Sequence, residues 1–109
     1  MNNSKMYILI LDDIPLGFAI NSAAHASLIA HLKWNFGVPA YDNWLEHSFK
    51  KVTCKVNMSE FTKAVSSGLA WEIITESTLG EGKPVAVVFC PLPEGEDWPN
   101  CFKYFQLYK

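Results

Sequence analysis

Residues 6–33 read MYILILDDIPLGFAINSAAHASLIAHLK, and this stretch decides the fold. Its opening run, Tyr7, Ile8, Leu9, Ile10 and Leu11, has no polar alternation. Successive side chains of a strand point to opposite faces, so a strand lacking a polar face needs cover on both, as in the middle of an α/β sheet. Asp12, Asp13, Pro15 and Gly17 then turn the chain, and the alanine-rich segment beyond them predicts a helix over residues 18–34. Ala19, Ala23, Ala26 and Ala30 follow at helical spacing with Ile20, Ala24, Leu28 and Leu32 beside them, so a wide apolar stripe is expected to pack on the sheet. Ligands of open α/β folds sit at the carboxyl ends of the strands, which makes Asp12 and Asp13 candidate site residues.

Outward from this unit, Gly37 and Pro39 end the helix, and a short helix capped by Asp42 is the reading for the segment through Trp44. Residues 51–56 alternate Val52, Cys54 and Val56 against Thr53 and Lys55, the pattern of an edge strand with one wetter face. Ser59 is expected to cap a helix reaching Ser67, with Gly68 in the left-handed position after it. Residues 69–75 read as a third strand, placed at an edge because Glu72 interrupts one face; residues 85–90 are uniformly apolar and therefore central. Two central strands flanked by two edges give the order 2-1-4-3. The first two strands are parallel through a helical crossover, and the fourth is antiparallel because only the short loop 76–84 joins it to the third. Asp97 is expected to cap a closing helix that has Pro99 in its first turn and is packed down by Phe102, Phe105 and Leu107.

At 109 residues the chain is expected to be one domain, and with half of it apolar and 14% aromatic it has enough side-chain surface for a single core. No apolar run approaches the roughly 20 residues that cross a bilayer, and the first residues lack the plan of a signal peptide, so a cytoplasmic protein without a membrane partner is expected. Cys54, Cys90 and Cys101 are odd in number and lack C-x-x-C spacing, which argues for reduced thiols and against a disulfide framework or zinc site. Net charge is −2 and every basic residue is lysine. Without arginine, the bidentate reader of phosphate and guanine, the case for nucleic-acid binding is weak. Lys50, Lys51 and Lys55 gather on one strand, where charge also discourages edge-to-edge aggregation.

The order of elements resembles type II peptidyl-tRNA hydrolases and, within that fold, a group of small bacterial proteins of uncharacterised function. The resemblance spans nearly the whole chain. It rests on the opening strand with its acidic end, the glycine turn, the AAHA stretch at residues 23–26, the following strand and helix, the passage from Ser66 to Ile74 and the ending FQLYK. It implies a three-layer α/β/α sandwich around a four-stranded mixed sheet, in agreement with the order inferred from burial. The family's lysine-and-glycine loop is replaced here by Pro15, Leu16, Gly17 and Phe18, and Ser22 stands where the family has a glutamine. Its aspartate and threonine after the third strand are matched at best by Glu76, Ser77 and Thr78. The spacing Pro15-x-Gly17-x-Ala19-x-Asn21 is similar to the uncharacterised group. The resemblance thus implies a diverged hydrolase with altered or lost activity, whose ligand is tRNA-derived or a small molecule.

With strands one, two and three parallel, their carboxyl ends gather Asp12, Asp13, Asn57, Glu76, Ser77 and Thr78 at one rim, beside Asn21 of the first helix. Asp13, Asn21, His25 and Glu76 are the candidates for catalysis, and Asp12, Ser22, Ser77 and Thr78 for ligand contact. Carboxylates that share a site can divide acid and base roles. The plainer reading is that Asp12 and Asp13 end a strand, cap the turn and favour the helix amino terminus. His25, among alanines, reads as a core histidine or else as one bordering the rim; His31 and His47 read as surface residues. His25 and His31 lie roughly 240° apart around a helix and form no metal pair, and the glycines lack phosphate-loop spacing, so no metal or cofactor is expected. Tyr104, Phe105 and Tyr108 offer faces for base stacking, although a closing helix buries such residues more often. A different class of reading, a self-associating homodimeric module, is suggested by four tryptophans and an unpaired strand edge.

Overall fold

The computed structural model describes residues 4–76 and 82–109, and among them lie five strands and three α-helices around a single mixed sheet. The elements are β1 (Lys5–Leu11), α1 (Leu16–Trp34), α2 (Pro39–His47), β2 (Lys50–Val56), α3 (Met58–Val65), β3 (Trp71–Thr75), β4 (Pro84–Phe89), a 3-10 helix (Asn100–Tyr104) and β5 (Gln106–Leu107). Strand order is β3-β4-β1-β2-β5. β1 pairs parallel with β2 and antiparallel with β4, and β4 pairs antiparallel with β3, so β1, β2 and β3 run the same way. The inner order 2-1-4-3 is therefore present, but the sheet has five strands rather than four. Gln106 and Leu107 pair with Lys55 and Cys54, so β2 is not the edge that its alternation suggests.

Burial explains the centre. Met6 through Leu11 and Val85 through Phe89 are buried on both faces of their strands, as uniformly apolar strands require. In register, Ile8, Val88 and Glu72 share one face, while Tyr7 and Phe89 lie on the other. Lys33 of α1 reaches Glu72 at 3.6 Å, which fixes α1 on the Ile8 face. Rings from the carboxyl-terminal segment cover the opposite one: Trp98 and Phe102 meet Tyr7 edge-on at 4.7 and 5.1 Å, and Phe102 meets Phe89 at 5.1 Å.

Helix α1 seats itself on small residues. Ala19, Ser22, Ala26, Ala30 and Trp34 are its buried positions, whereas Ile20, Leu28 and Leu32 are exposed. The wide stripe expected from periodicity is thus split: its small row meets the sheet and its large row faces solvent. α2 then packs by Tyr41 and Trp44, both buried, and the Trp44 indole donates to the Lys50 carbonyl at 2.7 Å. Its amino terminus holds Pro39 with no side-chain cap; Asp42 lies in the first turn instead. Asn57, not Ser59, caps α3, in a reciprocal box with Glu60 that satisfies two end donors. Gly68 takes the left-handed backbone at φ +88°.

The chain's end departs furthest from expectation. Asp97 caps nothing there, Pro99 precedes a single 3-10 turn rather than entering an α-helix, and Leu107 is exposed in β5. Phe102 and Phe105, three residues apart, are both buried, the spacing at which a 3-10 turn aligns side chains.

Candidate functional site

The carboxyl ends of β1, β2 and β3 form one rim, as parallel direction demands. Asp12 stands there on a fixed backbone: its amide donates to the Val56 carbonyl at 2.8 Å, adding a rung to the β1–β2 ladder, and the buried Ile14 anchors the turn from below. Both Asp12 and Asp13 are exposed, and neither carboxylate bonds to a described residue. Neither caps α1, which starts after Pro15 without a side-chain cap and without an acidic residue in its first turn. The rim therefore presents two solvated negative charges.

Glu76 is half-buried at the same end of β3, where its amide donates to Lys83 at 3.2 Å. Between β3 and β1 lies β4, so two strand spacings, roughly 10 Å, separate the Glu76 and Asp12 backbones. Carboxyls that share a proton approach to about 3 Å, and neither Asp12 nor Asp13 bonds to Glu76. Asn57 reaches the rim too, but its side-chain oxygen accepts from the Glu60 amide at 2.8 Å. Ser77 and Thr78 lie outside the described residues.

From α1, Asn21 and His25 are exposed, one turn apart on the outward surface of the helix. His25 is thus not a core residue; Ala26, rotated by one position, takes the inward direction. Ser22 has no exposed surface, and its hydroxyl donates to the Phe18 carbonyl at 2.7 Å, so a ligand at the rim has no access to it. His31 is half-buried rather than on the surface, held between Tyr41 Oη at 3.1 Å and Asn35 Nδ2 at 3.3 Å. His47 is exposed beside Glu46.

Three concave regions lie away from the rim, and the sequence did not point to them; the smallest, about 190 Å³, lies between Asn35, Phe36, Asp42, Leu45 and Glu46. A cleft of about 350 Å³ opens at the other end of β1, between Ser4, Lys5 and the loop of residues 92–98 with Glu94, Glu96 and Asp97. A groove of about 450 Å³ runs over Tyr7, Val52 and Cys54 beneath Phe102 and Phe105, with Lys5 and Lys103 at its margin. Pro91, Pro93 and Gly95 in one short stretch were the legible signal for the cleft; the groove depends on a 3-10 turn and β5, which short segments do not advertise.

Burial governs the remaining titratable groups. It pushes the Cys54 thiol up to about 11, with the Glu60 carboxylate adding to the effect, and the Cys90 thiol likewise up to about 11. Tyr7 and Tyr41 are raised chiefly by burial as well. Lys51 is lowered by desolvation where its ammonium lies 3.4 Å from the centre of the Phe49 ring. Such neutral thiols are poor nucleophiles at physiological pH. Among the described residues no group of three or more His, Cys, Asp or Glu side chains is placed to hold a metal ion, and no helix is long and apolar enough to cross a membrane. Tyr104 is exposed but Phe105 is buried, so the aromatic residues of the chain's end do not form one stacking platform. No protein-family model and no curated protein sequence matches this chain.

Proposed function

We propose that this chain is a domain related to type II peptidyl-tRNA hydrolases that has lost peptidyl-tRNA hydrolysis and instead binds a small polar ligand at the rim of Asp12, Asp13 and Glu76. The fold expected from the resemblance agrees with the inner strands β2, β1, β4 and β3, of which β4 alone is antiparallel to the others. The observation that carries the loss of activity lies in the first turns of α1. Where the resemblance implies a lysine loop and a glutamine, Phe18 is half-buried and Ser22 is fully buried with its hydroxyl bonded to the Phe18 carbonyl. Neither a cation nor an amide reaches the rim from those positions.

Charge supports the change of ligand. Asp12 and Asp13, two solvated carboxylates, disfavour a phosphodiester backbone beside them even with Lys83 at the start of β4, whereas they accept hydrogen bonds from ammonium, amide or hydroxyl groups of a small molecule. The rim is thereby suited to a cationic or neutral polar ligand and unsuited to the tRNA acceptor end.

A turnover assay with peptidyl-tRNA tests this directly, with a lysine-bearing enzyme of the family as reference. The expected outcome is no release of tRNA above the uncatalysed rate. Robust turnover by the wild-type chain, abolished in Asp13→Ala or Glu76→Ala, would refute the reading.

A further inference from the structure

One exposed row of α1 is apolar along its whole length, beside the exposed polar Asn21 and His25. Leu16, Ile20, Ala24, Leu28 and Leu32 follow one another at four-residue spacing and are all exposed, and Phe36 continues the row just past the helix end. Their exposures are large: 63% for Leu16, 62% for Ile20, 58% for Leu28, 75% for Leu32 and 92% for Phe36. The sole charged side chain of α1, Lys33, is turned toward Glu72. A solvent-facing helix ordinarily carries its charges on this side.

Phe36 adds an independent sign. It stands at the left-handed position after the helix with φ +64°, where glycine is the usual occupant, although Gly37 is the next residue. The backbone there is held in a conformation that β-carbons disfavour, with the ring in water.

Together these five large residues expose roughly 600 Å², at the top of the about 300–600 Å² range of the largest patch on a typical monomer and a large part of the about 800 Å² per partner of a standard interface. We infer that this row is a symmetric helix–helix interface at which two copies of the chain pair through α1. The row is self-complementary in size: the small Ala24 lies at its centre, Ile20 and Leu28 flank it, and Leu16 and Leu32 lie beyond them. A two-fold axis over Ala24 sets Ile20 of each copy against Leu28 of the other, with the helices closest at the alanine pair. Ridges at four-residue spacing interdigitate at a crossing angle near −50°, the commonest packing between helices. Without charge on the row, two identical faces meet without repulsion. This inference does not depend on the proposed ligand rim, because the row is defined by exposure and spacing alone.

Sedimentation of the whole chain over a wide concentration range tests it, with an Ile20→Lys/Leu28→Lys variant alongside. Both positions are exposed, so the variant is expected to keep the wild-type circular dichroism and melting temperature. Wild type should sediment at twice 12.3 kDa, and the variant, with four charges brought into the interface, should dissociate roughly a hundredfold more readily. An Ala24→Cys/Cys101→Ser chain should cross-link on oxidation, whereas a Lys63→Cys/Cys101→Ser control on α3 should not. A wild type that stays monomeric throughout would overturn the inference, as would a dimer indifferent to the two lysines. A monomer that instead co-sediments with phosphatidylcholine vesicles would also overturn it, and would assign the row to a lipid surface.

Discussion

Replacing Ser22 with glutamine restores the residue type that the family resemblance implies, and the structure predicts that the fold will not accept it. Ser22 has no exposed surface, and it belongs to the row of Ala19, Ala26 and Ala30 through which α1 approaches the sheet. Glutamine adds three heavy atoms to that slot. Overpacking of this kind costs about 1–3 kcal/mol, and a buried carboxamide whose hydrogen bonds are left unmade costs about 1–3 kcal/mol more. The expected destabilisation of Ser22→Gln is therefore about 2–6 kcal/mol, or a fall in melting temperature on the order of 10–30 °C for a domain of this size. Ser22→Ala is the control. It removes a hydroxyl bond to the Phe18 carbonyl, worth about 0.5–1.5 kcal/mol, but that carbonyl keeps its helical partner and no cavity larger than one oxygen opens, so the net change should stay within about 1 kcal/mol. Urea unfolding followed by far-ultraviolet circular dichroism reads both, since a single domain of this length unfolds cooperatively. A Ser22→Gln chain within 1 kcal/mol of wild type at unchanged denaturant slope would refute the packing argument. Acquired peptidyl-tRNA turnover in that variant would refute the placement of the side chain away from the rim.

Three further outcomes follow from particular contacts. Asn57→Ala removes one half of the box at the start of α3 and should cost about 1 kcal/mol in the same unfolding assay, with no change indicating that the cap contributes nothing. Cys54 and Cys90 titrate near 11 when folded but near 8.5 when unfolded, so the unfolded chain loses these protons first as pH rises. The stability they confer should be complete below about pH 8.5 and decline by on the order of a few kcal/mol toward pH 11, with Tyr7 and Tyr41 acting in the same sense; a flat profile over that window would contradict it. Phe36→Gly relieves the left-handed backbone and should stabilise the dilute, monomeric chain by about 0.5–1 kcal/mol, the strain released outweighing the flexibility gained when unfolded; a lower urea midpoint would count against it.

The sheet was legible because its signal is negative: strands that lack polar residues have nowhere to go but the middle, and β1 and β4 are there with their neighbours in the expected order. β5 was not, because two residues carry no period and their pairing depends on where the 3-10 turn delivers the chain. The acidic end of β1 was legible as solvent-facing for the same reason that the strand was legible as buried: polarity changes within one residue, between Leu11 and Asp12. What could not be read were the partners of polar side chains. Nothing in the sequence says that the Ser22 hydroxyl bonds to its own helix or that the Asn57 oxygen accepts from Glu60; the first fact removes Ser22 from the rim, and the second occupies the Asn57 acceptor there. Helix α1 shows the sharper limit. Hydrophobicity marks its alanine row and its leucine row equally, yet close approach to a sheet selects small side chains, so the larger and more apolar row was left outside. Periodicity identifies rows; volume decides which row faces the sheet. A helix that buries its alanines and exposes its leucines has met one apolar surface at short range and still carries a second, and that second surface is where the chemistry of this chain is least accounted for by the fold of a single copy.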